Sequence, residues 1–92
     1  MDNYPELELK NLGGGADIYF VGSRIRVLHV IQTYKASDNN IDKTVAYFAI
    51  EKKFIDDALR YYHDHPKEID RKIEEYEEAF EDYLKKMEIE TG

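Results

Sequence analysis

Apolar residues recur along this chain in three rhythms, and each change of rhythm predicts a change of element. Leu7, Leu9 and Leu12 alternate with polar residues, and Ala16-Asp17-Ile18-Tyr19-Phe20-Val21 is rich in β-formers. Gly13-Gly14-Gly15 stands between them, and glycine reaches positive φ without strain, so these two runs are predicted to pair as a β-hairpin. Gly22 marks a turn. From Val27 the period lengthens: Val27, Val30, Ile31 and Tyr34 follow the i, i+3, i+4, i+7 spacing of an amphipathic helix. Ser37-Asp38-Asn39-Asn40 breaks that pattern, and Asn39 or Asn40 can cap a second helix with Ile41, Val45, Phe48 and Ala49 as its apolar stripe. A third helix is expected from about Glu51 to His63, with Phe54, Ile55, Ala58, Leu59 and Tyr62 facing the core and Tyr61 at the edge.

A break over residues 64–67 ends that helix, and Pro66 suits the first turn of a fourth. Glu68 and Asp70 give its start the negative charge that the helix dipole favours. Here the rhythm tightens to a heptad seam: Ile69, Ile73, Tyr76, Phe80, Tyr83 and Met87 are spaced 4, 3, 4, 3, 4. A helix running on from Pro66 would be about 35 Å long, more than a small body can cover. The expected fold is therefore mainly α: a short N-terminal β-hairpin, a tri-helical body resembling a helix-turn-helix, and a long C-terminal amphipathic helix. Residues 1–65 form the hairpin and body, and residues 66–92 form an acidic interaction arm of the same domain.

Composition narrows what such a fold could do. The 92 residues carry 20 acids and 13 bases, a net charge of −7. Residues 1–53 hold seven of each, so the whole excess lies in residues 54–92, with thirteen acids and six bases. Such a balance argues against a general nucleic-acid coat, which needs a basic face. Cysteine is absent, which removes disulfides, thiolate metal sites and a cysteine nucleophile. No apolar run approaches the ~18 residues of a membrane span. The N-terminus lacks the pattern of a signal peptide, so a cytoplasmic location is expected.

The candidate chemistry is thin. Gly13-Gly14-Gly15 fits neither a P-loop nor a dinucleotide fingerprint. His63-Asp64-His65 invites a metal, but residues two apart on a helix point to different faces and no third ligand stands near. His29 is expected at the surface or its boundary. Asp56-Asp57, beside Lys52, Lys53 and Arg60, reads as a solvated charged face rather than an acid–base pair. No enzyme, cofactor or metal is expected. If the second and third helices form a helix-turn-helix, Lys52, Lys53 and Arg60 are the possible DNA backbone contacts. The third helix would also present Glu51, Asp56, Asp57 and Asp64, a poor surface for phosphates.

Two stretches carry a family resemblance. Gly22-Ser23-Arg24-Ile25-Arg26-Val27 resembles a "G-T/S-R-I-x-V" signature. The segment Ala58-Leu59-Arg60-Tyr61-Tyr62-His63-Asp64-His65-Pro66-Lys67-Glu68-Ile69-Asp70 resembles "A-L-x-Y-Y-x-x-H-x-x-E-I-D". Together, over about residues 17–75, they are similar to the domain of unknown function 433 family, whose members are small VapB-like antitoxins. The resemblance implies a helix-turn-helix body preceded by a short β element, and a toxin–antitoxin role beside a PIN-like ribonuclease. The chain departs from the family pattern at Tyr47-Phe48-Ala49-Ile50-Glu51, which lacks the family's proline and threonine cap.

These readings converge on a non-catalytic, antitoxin-like protein that neutralises a PIN-like ribonuclease toxin. Its partner-binding residues would be Tyr76, Phe80, Tyr83, Leu84 and Met87 on the fourth helix. The alternatives are a dimeric helix-turn-helix transcription regulator, with weak and salt-sensitive DNA binding, and a homo-oligomeric scaffold. A homodimer is expected. Glutamates at 74, 75, 77, 78 and 81 would make a parallel pair repel itself, so an antiparallel pair or a basic partner fits the seam more easily.

Overall fold

The computed structural model describes the backbone of residues 1–91 and the side chains of residues 1–87. Its elements are β1 (Leu7–Asn11), β2 (Ala16–Phe20), α1 (Val27–Ala36), α2 (Ile41–Phe48), α3 (Lys52–Asp64) and α4 (Pro66–Thr91). The chain is thus mainly helical with an N-terminal hairpin. The two strands pair antiparallel, from Leu7 opposite Phe20 to Asn11 opposite Ala16. Gly13 and Gly15 make the connection at φ 106° and 100°, values that an L side chain resists. The alternation places Leu7, Ile18 and Phe20 against the helices.

Local chemistry sets the helix boundaries. The Asn40 side chain accepts from the Lys43 amide at 2.9 Å and caps α2. Buried Thr44 returns its hydroxyl to the Asn40 carbonyl at 2.9 Å. Asp38 and Asn39 reverse the chain with φ near 60°, a conformation that short polar side chains tolerate. At the other end of α2, Ala49 takes φ 54° and ψ 43°. The αL turn normally filled by glycine is filled here by a residue with a Cβ.

The core joins Leu7, Ile18 and Phe20 to Val27, Val30 and Ile31 of α1, Ile55, Ala58 and Tyr61 of α3, and Ile69 of α4. Three expectations change. Tyr61 is buried, while Leu59 and Tyr62 only pack against the rim of the core. Asp57 is buried too, rather than part of a solvated face. Both have one cause: the N-terminal segment crosses α3. Tyr4 meets Tyr61 edge-on at 5.0 Å, the Glu6 amide donates to Asp57 at 2.9 Å, and the Tyr4 hydroxyl donates to Asp64 at 2.5 Å. Third, the break before α4 shrinks from four residues to His65 alone.

Two stability outcomes follow. Tyr61→Ala empties a closed site and should cost about 3–5 kcal/mol, whereas Leu59→Ala should cost less than about 2 kcal/mol. Ala49→Gly should raise stability by about 0.5–1 kcal/mol, because relief of αL strain exceeds the added entropy of the unfolded chain. Urea denaturation of the three variants against wild type measures both.

Candidate functional site

The seam of α4 runs from core to solvent. Ile69 is 1% exposed and Ile73 is half-buried against the core. Beyond them Tyr76 is 41% exposed, Phe80 54%, Tyr83 60%, Leu84 43% and Met87 44%. At 3.6 residues per turn these five lie within about 60° of Phe80 around the helix, so they form one stripe in line with Ile69 and Ile73. The body lies on that same side of the helix, and its cover reaches the level of Tyr76. There the half-buried His29 ring of α1 stands edge-on to the Tyr76 ring at 4.8 Å, and burial pushes the His29 pKa down.

Polar tethers on both flanks of the seam aim the helix. The Tyr61 hydroxyl donates to Glu68 at 2.7 Å, and burial followed by that carboxylate raises the Tyr61 pKa. The Tyr62 hydroxyl donates to Asp70 at 2.7 Å, and Lys35 of α1 reaches the same carboxylate at 3.2 Å. Lys72 reaches Asp17 of β2 at 3.0 Å. Beside the elbow, the His65 ring lies against Tyr61 at 4.6 Å. Tyr61, Tyr62, His65, Glu68, Ile69 and Asp70 all serve this corner, so one short stretch of sequence builds the α3–α4 elbow.

Beyond the tethers the helix becomes strongly acidic. Residues 73–84 contain six acids and no base. Glu75 pairs with Arg71 at 3.1 Å; Glu74, Glu77, Glu78, Glu81 and Asp82 have no ion pair among the described residues. Helical geometry sets Glu74, Glu75, Glu78, Glu81 and Asp82 at least about 100° from Phe80, on the back of the helix. Only Glu77 borders the stripe, beside Leu84. The distal half of α4 therefore presents an apolar face and, behind it, a charged face.

The three candidate DNA-contacting bases do not form a free basic face. Arg60 donates to the Asn3 carbonyl, pairs with Asp57 at 3.4 Å and lies over the Tyr4 ring. Lys53 is shared between Glu6 at 3.6 Å and Glu51 at 3.8 Å. Lys52 is exposed and bears no such contact among the described residues. The Asp57–Tyr61–Asp64 side of α3 lies under the N-terminal segment. Its i, i+4, i+7 spacing was present in the sequence, but two carboxylates disguised it as a solvent face.

Among the described residues no group of three or more His, Cys, Asp and Glu side chains is placed to hold a metal. Nor is any helix among them long and apolar enough to cross a membrane. No family model matches the chain, and neither does any curated protein or solved structure.

The tethers predict a pH dependence. The Tyr62 hydroxyl, helped by Lys35, holds Asp70 below its ordinary pKa of 3.8, and the Tyr4 hydroxyl, helped by His63, does the same for Asp64. In the window between the folded and unfolded pKa values the unfolded chain binds more protons. The contribution of these contacts is thus complete above pH 3.8 and is lost as pH falls through the folded values. Tyr62→Phe should flatten part of this acid loss, measured as thermal melting temperature against pH.

Proposed function

We propose that this protein is a non-catalytic, antitoxin-like binding protein that uses the distal half of α4 to engage and neutralise a PIN-like ribonuclease. The observation that carries the reading is the apolar stripe of Tyr76, Phe80, Tyr83 and Leu84, continued by Met87, which leaves the body and remains in solvent. An exposed apolar patch of this size marks an interaction surface, and aromatic residues are enriched at the centres of such interfaces. A helix laid into a groove is read through anchors at i, i+3, i+4 and i+7; Tyr76, Phe80 and Tyr83 fill the first, third and fourth of these, with Leu84 next to them.

The nuclease as partner draws on two supports. One is the resemblance to the domain of unknown function 433 family, whose longer signature coincides with the residues that aim α4. The other is charge: the back of the arm is acidic, and a nuclease handles its substrate with a basic surface, so opposite potentials steer the encounter. The competing use of α3 on DNA is weakened by the internal commitments of Arg60 and Lys53. A cytoplasmic location belongs to the same proposal, since a ribonuclease toxin acts on cellular RNA.

The test is co-purification of the chain with the nuclease encoded beside its gene, followed by RNA cleavage assays. Capture and inhibition are expected. The pair Phe80→Ser and Tyr83→Ser should weaken capture at least about tenfold, or ~1.4 kcal/mol, without lowering the melting temperature. Unaltered cleavage in the presence of excess protein, or nanomolar sequence-selective DNA binding at physiological salt, would overturn the reading.

A further inference from the structure

We propose that His29 is a pH-sensitive clasp on α4: neutral, it seats Tyr76 against the body, and protonated, it lets go, so that the arm leaves the body near Ile73 instead of near Tyr76. The clasp stands where the seam passes from body to solvent. Ile73 is packed against the core, Tyr76 is half-exposed, and Phe80 is more exposed still. The His29 ring of α1 meets the Tyr76 ring edge-on at 4.8 Å. The tethers of the elbow all lie nearer the start of α4, at Glu68, Asp70 and Lys72.

This site is a poor host for a further positive charge. The His29 ring is half-buried, and its Nδ1 lies 3.2 Å from Gln32 Oε1, an uncharged partner. The charged groups around it are already engaged. Arg26, one turn earlier at the start of α1, lies 3.8 Å from Asp17 of β2, and Lys72 of α4 lies 3.0 Å from the same carboxylate. One acid therefore serves two cations. Glu75 lines the same cleft as Arg26, Lys72 and Tyr76, but Arg71 holds it at 3.1 Å. An imidazolium at His29 would be a third cation around Asp17, with no ion pair of its own among the described residues. Loss of water and a neighbouring like charge both favour the neutral form. Attraction of the cation to the Tyr76 ring acts the other way, and it is weakest at exposed sites such as this one. The balance falls to the neutral form: burial first, and then Arg26, hold His29 below its ordinary 6.5 against the pull of Gln32 and Asp17.

A released His29 takes up a proton more readily than a seated one, so acid draws the contact toward release. The clasp is complete above pH 6.5 and weakens as pH falls from there to the seated value. The carboxylates of the tethers act in a separate window, because Asp70 and Asp64 titrate below 3.8. The elbow therefore stays shut while the clasp opens. The inference concerns the free chain and holds whatever the arm binds.

The test is NMR spectroscopy of the full chain between about pH 5 and about pH 8. The His29 imidazole signals should titrate with a midpoint below 6.5, and the Tyr76 ring signals should shift with that same midpoint. Amide protection over residues 77–80, corrected for the intrinsic pH dependence of exchange, should fall at least about twofold on acidification, while Ile69 keeps its protection. In His29→Gln, which retains His63 and His65, the Tyr76 shift and the loss of protection should both vanish. Tyr76→Ser opens the imidazole to water and should move the His29 midpoint up toward 6.5. A wild-type midpoint at or above 6.5, Tyr76 signals that ignore the His29 titration, the same loss of protection in His29→Gln, or an unmoved midpoint in Tyr76→Ser would each overturn the inference.

Discussion

One mismatch of length governs this molecule. α4 is 26 residues long, about 39 Å at 1.5 Å per residue, and among the described residues its contacts with the body lie in its first three turns. Among the described residues, the contacts that hold it lie between His65 and Tyr76. Ile69 enters the core, Glu68 and Asp70 receive the two tyrosine hydroxyls, and Lys72 reaches β2. Beyond that point Phe80, Tyr83 and Leu84 continue the seam with about half of their surface exposed. The stripe is therefore a consequence of how the elbow directs the helix.

Between α3 and α4 only His65 departs from helical geometry, so the chain turns within one residue. Pro66 supplies a helix start whose missing N–H costs nothing. Tyr61 and Tyr62 are adjacent on α3 and so project about 100° apart. They grip α4 from two sides, through Glu68 and Asp70. A single tether would let the long helix swing about its contact, whereas two tethers with a buried isoleucine between them fix its direction. The N-terminal segment completes the clasp from outside, with Tyr4 against Tyr61 and Arg60 holding the segment down.

That clasp also changes the meaning of α3. In a DNA-binding helix-turn-helix the second helix of the pair would keep one face open for the groove. Here the Asp57, Tyr61 and Asp64 side lies beneath the N-terminal segment, and Arg60 is spent on a backbone carbonyl. The tri-helical arrangement serves as a scaffold for the arm, in keeping with the general independence of fold and use.

Much of this was legible in the chain itself, because it depends on local physics. The triple glycine forced a hairpin turn, Asn40 capped α2, Pro66 opened α4, and the heptad spacing ran straight through residues 69–87. These signals are written within a few residues of where they act. The apolar stripe was legible for the same reason, since a 3.5-residue period declares a seam before anything is known of what lies against it. What only the tertiary structure decided was occupancy of faces. The i, i+4, i+7 spacing of Asp57, Tyr61 and Asp64 could not by itself say that Tyr61 would be core and Leu59 rim, or that Asp57 would be buried, because those outcomes depend on a segment more than 50 residues away in sequence crossing α3. Nor could the spacing say where along the seam cover ends. That boundary is set at Tyr76 by His29 and the elbow, and it comes from the size of the body and the direction of the helix, which are properties of the folded whole.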